Sequence, residues 1–406
     1  MKLLFIMPYI YAPEFAEHSK NGSGFGMMVN DIAASVGASG NDVICVTHTF
    51  GPRRECNGFS IVANSPLKNI FYGRYKGILK RNKALKKEGL SFKGRLRELY
   101  FHLNLGYVEH LMKKEKPDVV HLHGCSDAFE YAEICRKNNV PFVVTLHGLL
   151  ENDDFATEQI KAYERELVKC SYSKNIPITV ISSKMKDIIL SPYYGAENNE
   201  NVVVVTNGVD VNAKEPTVDI REKLGIGKEK KIILSVGSVC NRKNQMQTVR
   251  AFSLMSDEEK QKTVLIFAGS VYEDYKIVEE IERLGLGDKV FILGFVPRED
   301  LKNYYSVADI VVMASISEGF GLSIVEGFSY GIPCATFDDL DAISDVFDES
   351  AMLLCKDRSD EAFSEALSKA LNTSWDKAKI VEHSKKFSLE AMAEKYNEVY
   401  KYLLKK

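Results

Sequence analysis

Short, continuous apolar runs recur along the chain, and segments with helical spacing separate them. The runs Leu3–Met7, Val43–Thr47, Val119–His123, Phe142–Leu146, Ile178–Ile181 and Val202–Val205 each have the length of a buried strand. Between them, Met27 to about Ala38 and Phe129–Lys137 carry apolar residues at helical spacing. A polar stretch from Asn212 to Lys231, holding a short helix at Ile220–Leu224, interrupts the series. It then resumes with strands at Ile232–Val236, Thr263–Phe267, Lys289–Leu293, Asp309–Met313 and Ile332–Thr336, and a helix over Gln245–Met255. Strand–helix alternation predicts an α/β fold with doubly wound parallel sheets, whose ligands bind outside the carboxyl ends of the strands. The interruption predicts two such domains, 1–205 and 206–385. A final helix, 386–406, carries the stripe Leu389, Met392, Tyr396, Val399, Tyr400, Leu403 and Leu404, which reads as a packing face.

Composition narrows the class. At 406 residues the chain exceeds one ordinary core, and 45% apolar with 27% charged residues is the balance of a globular protein. A net charge of -3 argues against a generally basic nucleic-acid binder. No apolar run reaches the ~20 residues of a membrane helix. Met1–Met7 is too short for a signal sequence and is closed by Pro8, so a first strand fits it better. The 8 cysteines are scattered and form no Cys-x-x-Cys pair, as expected of reduced core residues in a cytoplasmic protein.

The candidate chemistry centres on Glu318-Gly319-Phe320-Gly321-Leu322-Ser323-Ile324-Val325-Glu326. A tight turn feeding a helix offers backbone N–H groups to an anion. The two carboxylates, one before the helix and one about a turn inside it, can accept bonds from sugar hydroxyls. A helix with an acidic first turn would use the same residues. Arg242 and Lys243 lie in a second strand-to-helix turn, where a planar guanidinium and a point charge suit a diphosphate, or else only solvent. Near the start, Asn21-Gly22-Ser23-Gly24-Phe25-Gly26 is a Gly-rich turn after the first strand, a weak phosphate signal alone. His123 and His147 fall at strand ends, whereas His121 alternates back into the sheet. Over residues 74–97 the cations Arg74, Lys76, Lys80, Arg81, Lys83, Lys86, Lys87, Lys93, Arg95 and Arg97 face one acid, Glu88, with Ile78, Leu79, Leu85, Leu90 and Phe92 interleaved. Two readings stay open there: docking on an anionic membrane or polyprenyl-diphosphate acceptor, or a solvated helical segment.

These pieces, in this order and with Val180-Ile181-Ser182, Asn207-Gly208-Val209-Asp210, Gly294-Phe295-Val296 and Gly331-Ile332-Pro333, resemble family-4 retaining glycosyltransferases of GT-B fold that use nucleotide-sugar donors. The resemblance is weakest across 52–115. It implies two Rossmann-like domains facing across a cleft, acceptor-side first and donor-side second, with the last helix crossing back to the first. It implies that Glu326 holds the donor ribose, Glu318 the sugar hydroxyls, and Arg242 and Lys243 the diphosphate. The backbone of Phe320, Gly321 and Leu322 would meet phosphate and sugar, Gly24 the diphosphate, the Val296 backbone the base, and His147 the region of the anomeric carbon. No metal and no resident cofactor are implied. Partners would be the nucleotide sugar and a saccharide or lipid-linked acceptor, at the cytoplasmic side of a membrane, in cell-envelope polysaccharide or glycolipid assembly. Two departures stand out: Ser238 where the family often has Arg, and Asp341-Ala342 where it often has Gly-Gly, within an acidic run that reads as donor selection or a loop cap. An epimerase of similar fold, or a non-catalytic sugar-nucleotide-binding subunit, stays open as an alternative.

Overall fold

The structure is a computed structural model and describes residues 1–18, 24–75, 77–87, 91–124, 127–152, 156–195, 200–341 and 343–405. The chain divides into two compact units. One takes Met1–Ile181, Met185–Val205 and Met392–Lys406, the other Ser182–Lys184 and Thr206–Ala391.

The first unit is built on an eight-stranded sheet in the order β3-β4-β2-β1-β5-β6-β7-β8. Its strands are β1 (Lys2–Met7), β2 (Asp42–Phe50), β3 (Arg54–Cys56), β4 (Phe59–Asn64), β5 (Val119–His123), β6 (Phe142–Leu146), β7 (Ile178–Val180) and β8 (Val202–Val204). All pairs are parallel except β3 with β4. The central strands β5 and β6 are buried at every residue, because helices cover both faces of a parallel sheet. That explains why they read as unbroken apolar runs. The first helix runs Gly24–Ala38 and buries Met28, Val29, Ile32, Ala33 and Val36. It therefore begins three residues before the expected Met27. Phe25 anchors the added turn edge-on against Tyr9, and Tyr11 N–H donates to the Gly26 carbonyl.

The region hardest to read from sequence holds the β3–β4 hairpin and the helices Pro66–Tyr72, Ile78–Lys87 and Phe92–Glu115. The closing helix, Leu389–Lys405, buries Met392, Tyr396, Val399, Tyr400 and Leu403. It is pinned by Asn397, whose amide donates to Ser39 and accepts from Asn41 at 2.8 and 2.9 Å. Leu404, expected in the buried stripe, is instead 46% exposed.

The second unit has six parallel strands in the order β11-β10-β9-β12-β13-β14. They are β9 (Lys231–Val236), β10 (Thr263–Ala268), β11 (Val290–Ile292), β12 (Ile310–Met313), β13 (Cys334–Phe337) and β14 (Met352–Cys355). Strand β13 starts two residues later than expected. Gly331 takes a left-handed turn and Pro333, lacking an N–H, precedes the ladder. The order reverses between β9 and β12, so the loops leaving those two strands open onto the same crevice. Val209 pairs with Ser388 there, tying the entry to this unit to its exit. Among the described residues no helix is long and apolar enough to cross a membrane.

Candidate functional site

The loop leaving β9 starts at Gly237, whose φ of +131° a side chain would strain. A compact turn follows. Lys243 N–H donates to the Cys240 carbonyl at 3.1 Å. The Gln245 side chain locks the turn from within, accepting from Cys240 N–H at 3.2 Å and donating to the Ser238 carbonyl at 2.9 Å. The loop leaving β12 is tied to it, Ile316 N–H donating to the Arg242 carbonyl at 2.9 Å and Arg242 Nη1 to the Ser317 carbonyl at 3.1 Å. These bonds bring the two sequence-predicted cations to Glu318. Lys243 Nζ makes an ion pair with Glu318 Oε2, and Arg242 Nη1 stands 3.9 Å from the same oxygen. Lys243 and Glu318 side chains are each only 15% exposed. Burial alone would raise the Glu318 carboxyl. Lys243, Arg242 and the Gly321 N–H outweigh it and hold the group below the usual carboxylate value.

Gly321, at φ +76°, caps the helix Leu322–Ser329 with a left-handed turn. The first N–H groups of a helix have no partner within it, so Leu322 and its neighbours present donors beside Glu318. Phe320 is buried against Phe387 at 5.8 Å and fixes the turn from below. Glu326 lies one turn into the helix. It accepts from the Tyr305 hydroxyl at 2.8 Å and has Arg298 at 3.7 Å. Arg298 opens a short 3-10 helix two residues after Val296, so the Val296 segment leads directly to Glu326. The acidic run after β13 is not a cluster: Asp339 is taken by Arg358 at 2.6 and 2.7 Å. Burial raises the Asp341 carboxyl, with Lys184 opposing and the Asp339 charge adding to the shift. Ala342 lies outside the described residues. Among those described, no three His, Cys, Asp or Glu side chains gather where they could hold a metal ion.

In the first unit His121, His123 and His147 come together on β5 and just past the end of β6, the first two buried and His147 half-buried. His123 Nδ1 and His147 Nε2 share a hydrogen bond at 2.9 Å, their rings stacked at 5.1 Å. His121 bonds to the Tyr400 hydroxyl at 2.8 Å and to Thr145 at 2.5 Å, a packing role as its alternation indicated. Desolvation lowers all three and brings His147 to about 3, so the rings are neutral at physiological pH. His147 Nδ1 and His123 Nε2 are buried polar atoms with no hydrogen-bond partner among the described residues. Gly24 is the first residue of its helix, next to Phe25, which meets His147 edge-on at 5.2 Å. A Cβ on Gly24 would touch nothing within 4 Å. Asn21–Ser23 of the Gly-rich turn lie outside the described residues.

Sequence reading missed Tyr305, Arg298 and Gln245. None belongs to a motif, and each acts through another residue. Only the placement of Tyr304-Tyr305 just before β12 could have pointed to one of them.

The basic segment forms a second surface on the first unit. Leu79 and Phe71 are 81% and 80% exposed, and Leu67, Ile70, Tyr75, Phe92 and Leu96 are exposed with them. Lys80, Lys83, Lys86, Lys87 and Lys93 are exposed along the same stretch of chain. Arg74 and Arg81 instead approach Glu133 and Glu130 at 3.7 and 4.0 Å. Lys76, Glu88, Leu90 and the Arg97 side chain lie outside the described residues.

Residues 22–213 match the model of Glycosyltransferase Family 4, and residues 217–387 that of Glycosyl transferases group 1. The two matches lie end to end, and the chain belongs to the family-4 glycosyltransferases. An uncharacterised glycosyltransferase of Methanocaldococcus jannaschii is 28% identical over 54% of this chain and 57% of its own length. A galactosyltransferase of Escherichia coli, named as moving galactose from UDP-Gal to α-D-GlcNAc-diphosphoundecaprenol, is 27% identical over 55% of this chain and 58% of its own length. The chain thus spans little more than half the length of these relatives. A solved glycosyltransferase from Rickettsia africae superposes with a TM-score of 0.72 over 100% of this chain and 98% of its own, at 19% identity. The fold is GT-B.

Proposed function

We propose that the protein is a retaining glycosyltransferase that moves a sugar from a nucleoside-diphosphate donor to an acceptor hydroxyl in cell-envelope polysaccharide or glycolipid assembly. The observation that carries this is the set Arg242, Lys243 and Glu318 at the start of the helix Leu322–Ser329. Two cations, a carboxylate held ionised and the start of a helix suit a diphosphate joined to a sugar.

In this reading Arg242, Lys243 and the N–H groups from Phe320 to Leu322 stabilise charge developing on the departing diphosphate. Lys243 releases part of its bond to Glu318 when the phosphate arrives, and Glu318 takes hydroxyls of the transferred sugar. Glu326 takes the ribose, and the Val296 backbone meets the base. Following the family resemblance, Gly24 approaches the diphosphate and neutral His147 positions or polarises the reacting sugar. A double displacement needs a carboxylate or similar nucleophile on the opposite face of the sugar. The residues singled out include no clear one, so we assign a front-face route in which the leaving phosphate accepts the acceptor's proton. The reaction runs without a metal.

The exposed apolar side chains of this segment, Phe71 and Leu79 among them, with exposed lysines interleaved in sequence, support docking on an anionic membrane carrying a lipid-linked acceptor. Phe71→Ser with Leu79→Ser should weaken binding to phosphatidylglycerol vesicles, read by co-sedimentation, at least tenfold, since losing about 1.5 kcal/mol of apolar burial already gives that factor. Nucleotide binding should not change.

A thermal-shift screen against UDP-, GDP- and ADP-sugars, with and without EDTA, tests the donor reading. A ligand bound only by the folded state raises Tm by mass action. One donor should raise it, equally with EDTA. No shift with any donor would overturn the donor reading, donor binding without turnover across a broad acceptor set would make the protein a non-catalytic subunit, and turnover of a donor with no acceptor would make it an epimerase.

A further inference from the structure

We propose that Tyr305 is a positioning residue for donor recognition: its hydroxyl fixes the Glu326 carboxylate for the donor ribose, so that discrimination for ribose hydroxyls depends on a buried phenol remote from every sequence motif. This rests on the assignment of Glu326 to the ribose.

Tyr305 closes the helix Leu301–Tyr305 and is 3% exposed. Its ring stacks on Tyr330 at 5.5 Å with an interplanar angle of 18°. Tyr330 is itself held, its hydroxyl accepting from Lys214 N–H at 3.2 Å. The ring is thus held in place, and its hydroxyl donates to Glu326 Oε2 at 2.8 Å, with the Ser323 carbonyl a longer second acceptor at 3.4 Å. Burial and the neighbouring carboxylate push the phenol far up, which keeps it a donor at any physiological pH. Arg298, 3.7 Å from Oε1, flanks the other oxygen.

A glutamate side chain has three rotatable bonds, and freezing them on binding weakens affinity. With Oε2 tied to a fixed hydroxyl, that ordering is complete before the nucleotide arrives. The carboxylate keeps lone pairs for ribose hydroxyls, because each oxygen accepts more than one bond. Removing the phenolic oxygen should leave the pocket and the charge in place but release the carboxylate.

The test is calorimetric and needs no acceptor. UDP, GDP and ADP, each with its 2′,3′-dideoxy counterpart, are titrated into the wild-type protein and into Tyr305→Phe. The wild type should prefer the ribonucleotide. Tyr305→Phe should weaken that ribonucleotide by about tenfold, the scale of one hydrogen bond to a charged group, and leave the dideoxy affinity unchanged, so the ratio collapses. An unchanged ratio in Tyr305→Phe overturns the proposal and leaves the ribose assignment standing. Equal loss of both ligands also overturns it, since that marks a structural role alone. Equal ribo and dideoxy affinities in the wild type overturn the Glu326 assignment itself, and binding of none of the three overturns the donor reading and the proposal together. If Tyr305→Phe does not fold, Tyr330→Leu removes the stacking ring while keeping the hydroxyl. A reduced ratio there supports the proposal, and an unchanged ratio overturns it.

Discussion

Glu318 and His147 each lie in the loop leaving an inner parallel strand, β12 in one unit and β6 in the other, yet the surroundings prepare them in opposite ways. Glu318 is largely covered, and against that burial it is kept charged by Lys243, Arg242 and a backbone N–H. His147 stacks on a second histidine, is bounded by Phe25, and is kept neutral by desolvation. A charged group needs partners in a poorly solvated place, whereas a neutral imidazole needs only that the charged form be disfavoured. One unit therefore presents a charge lattice, and the other a neutral hydrogen-bonding ring.

The largest effect should come from breaking the lattice. Glu318→Ala should slow release of nucleoside diphosphate from the donor by about 10²–10³, the range for losing one preorganised electrostatic contact, while the fold survives. Unchanged turnover would remove Glu318 from the mechanism. His147→Ala should cost less, about 10², because a neutral group positions more than it neutralises. An equal or greater loss at His147 would reverse the ranking drawn here.

The pH dependence separates the two preparations. His147 titrates near 3 in the folded chain against 6.5 as a free group, so the unfolded state binds the proton first as pH falls. Its contribution to stability is complete above pH 6.5 and is lost progressively below it. Glu318 lies below 4.5 when folded, so its contribution holds above that value and is lost only in stronger acid. Tm should already fall between pH 6.5 and 4.5, with His121, His123 and His48 sharing the effect. His147→Asn should flatten part of that fall and Glu318→Gln should not. The opposite pattern in a pH series of melts would contradict the assignment. The smallest effect should be at Gly321→Ala. Its φ of +76° disfavours a side chain and the new Cβ would lie 3.1 Å from Ile324 Cδ1. A loss of about 1 kcal/mol, a few degrees in Tm, is expected.

The two units also differ in how legible they were. Both sheets showed in the sequence because parallel strands covered on two faces become unbroken apolar runs, as at Val119–His123 and Ile310–Met313. Strands β3, β4 and β14 did not show. Arg54–Cys56 is short and charged, and Met352–Cys355 follows polar residues with no clear helix before it. Arg242, Lys243 and Glu318 could be found because their loops bring chemically matched residues into recognisable strings. Their mutual pairing could not, because it depends on bonds such as Ile316 N–H to the Arg242 carbonyl across a long sequence separation. The same limit hid Tyr305. The stacking of His123 on His147 joins two strands adjacent in the sheet, a pairing of register that periodicity within either strand does not report.

The central claim, that Lys243 and Arg242 with Glu318 form a diphosphate site, is tested most directly by calorimetry on Lys243→Met. The ligands are the nucleoside diphosphate that gives the largest thermal shift and its monophosphate. The account predicts that the diphosphate weakens at least tenfold, the size of one charge-assisted contact, while the monophosphate scarcely changes. Equal weakening of both, or of neither, would contradict it.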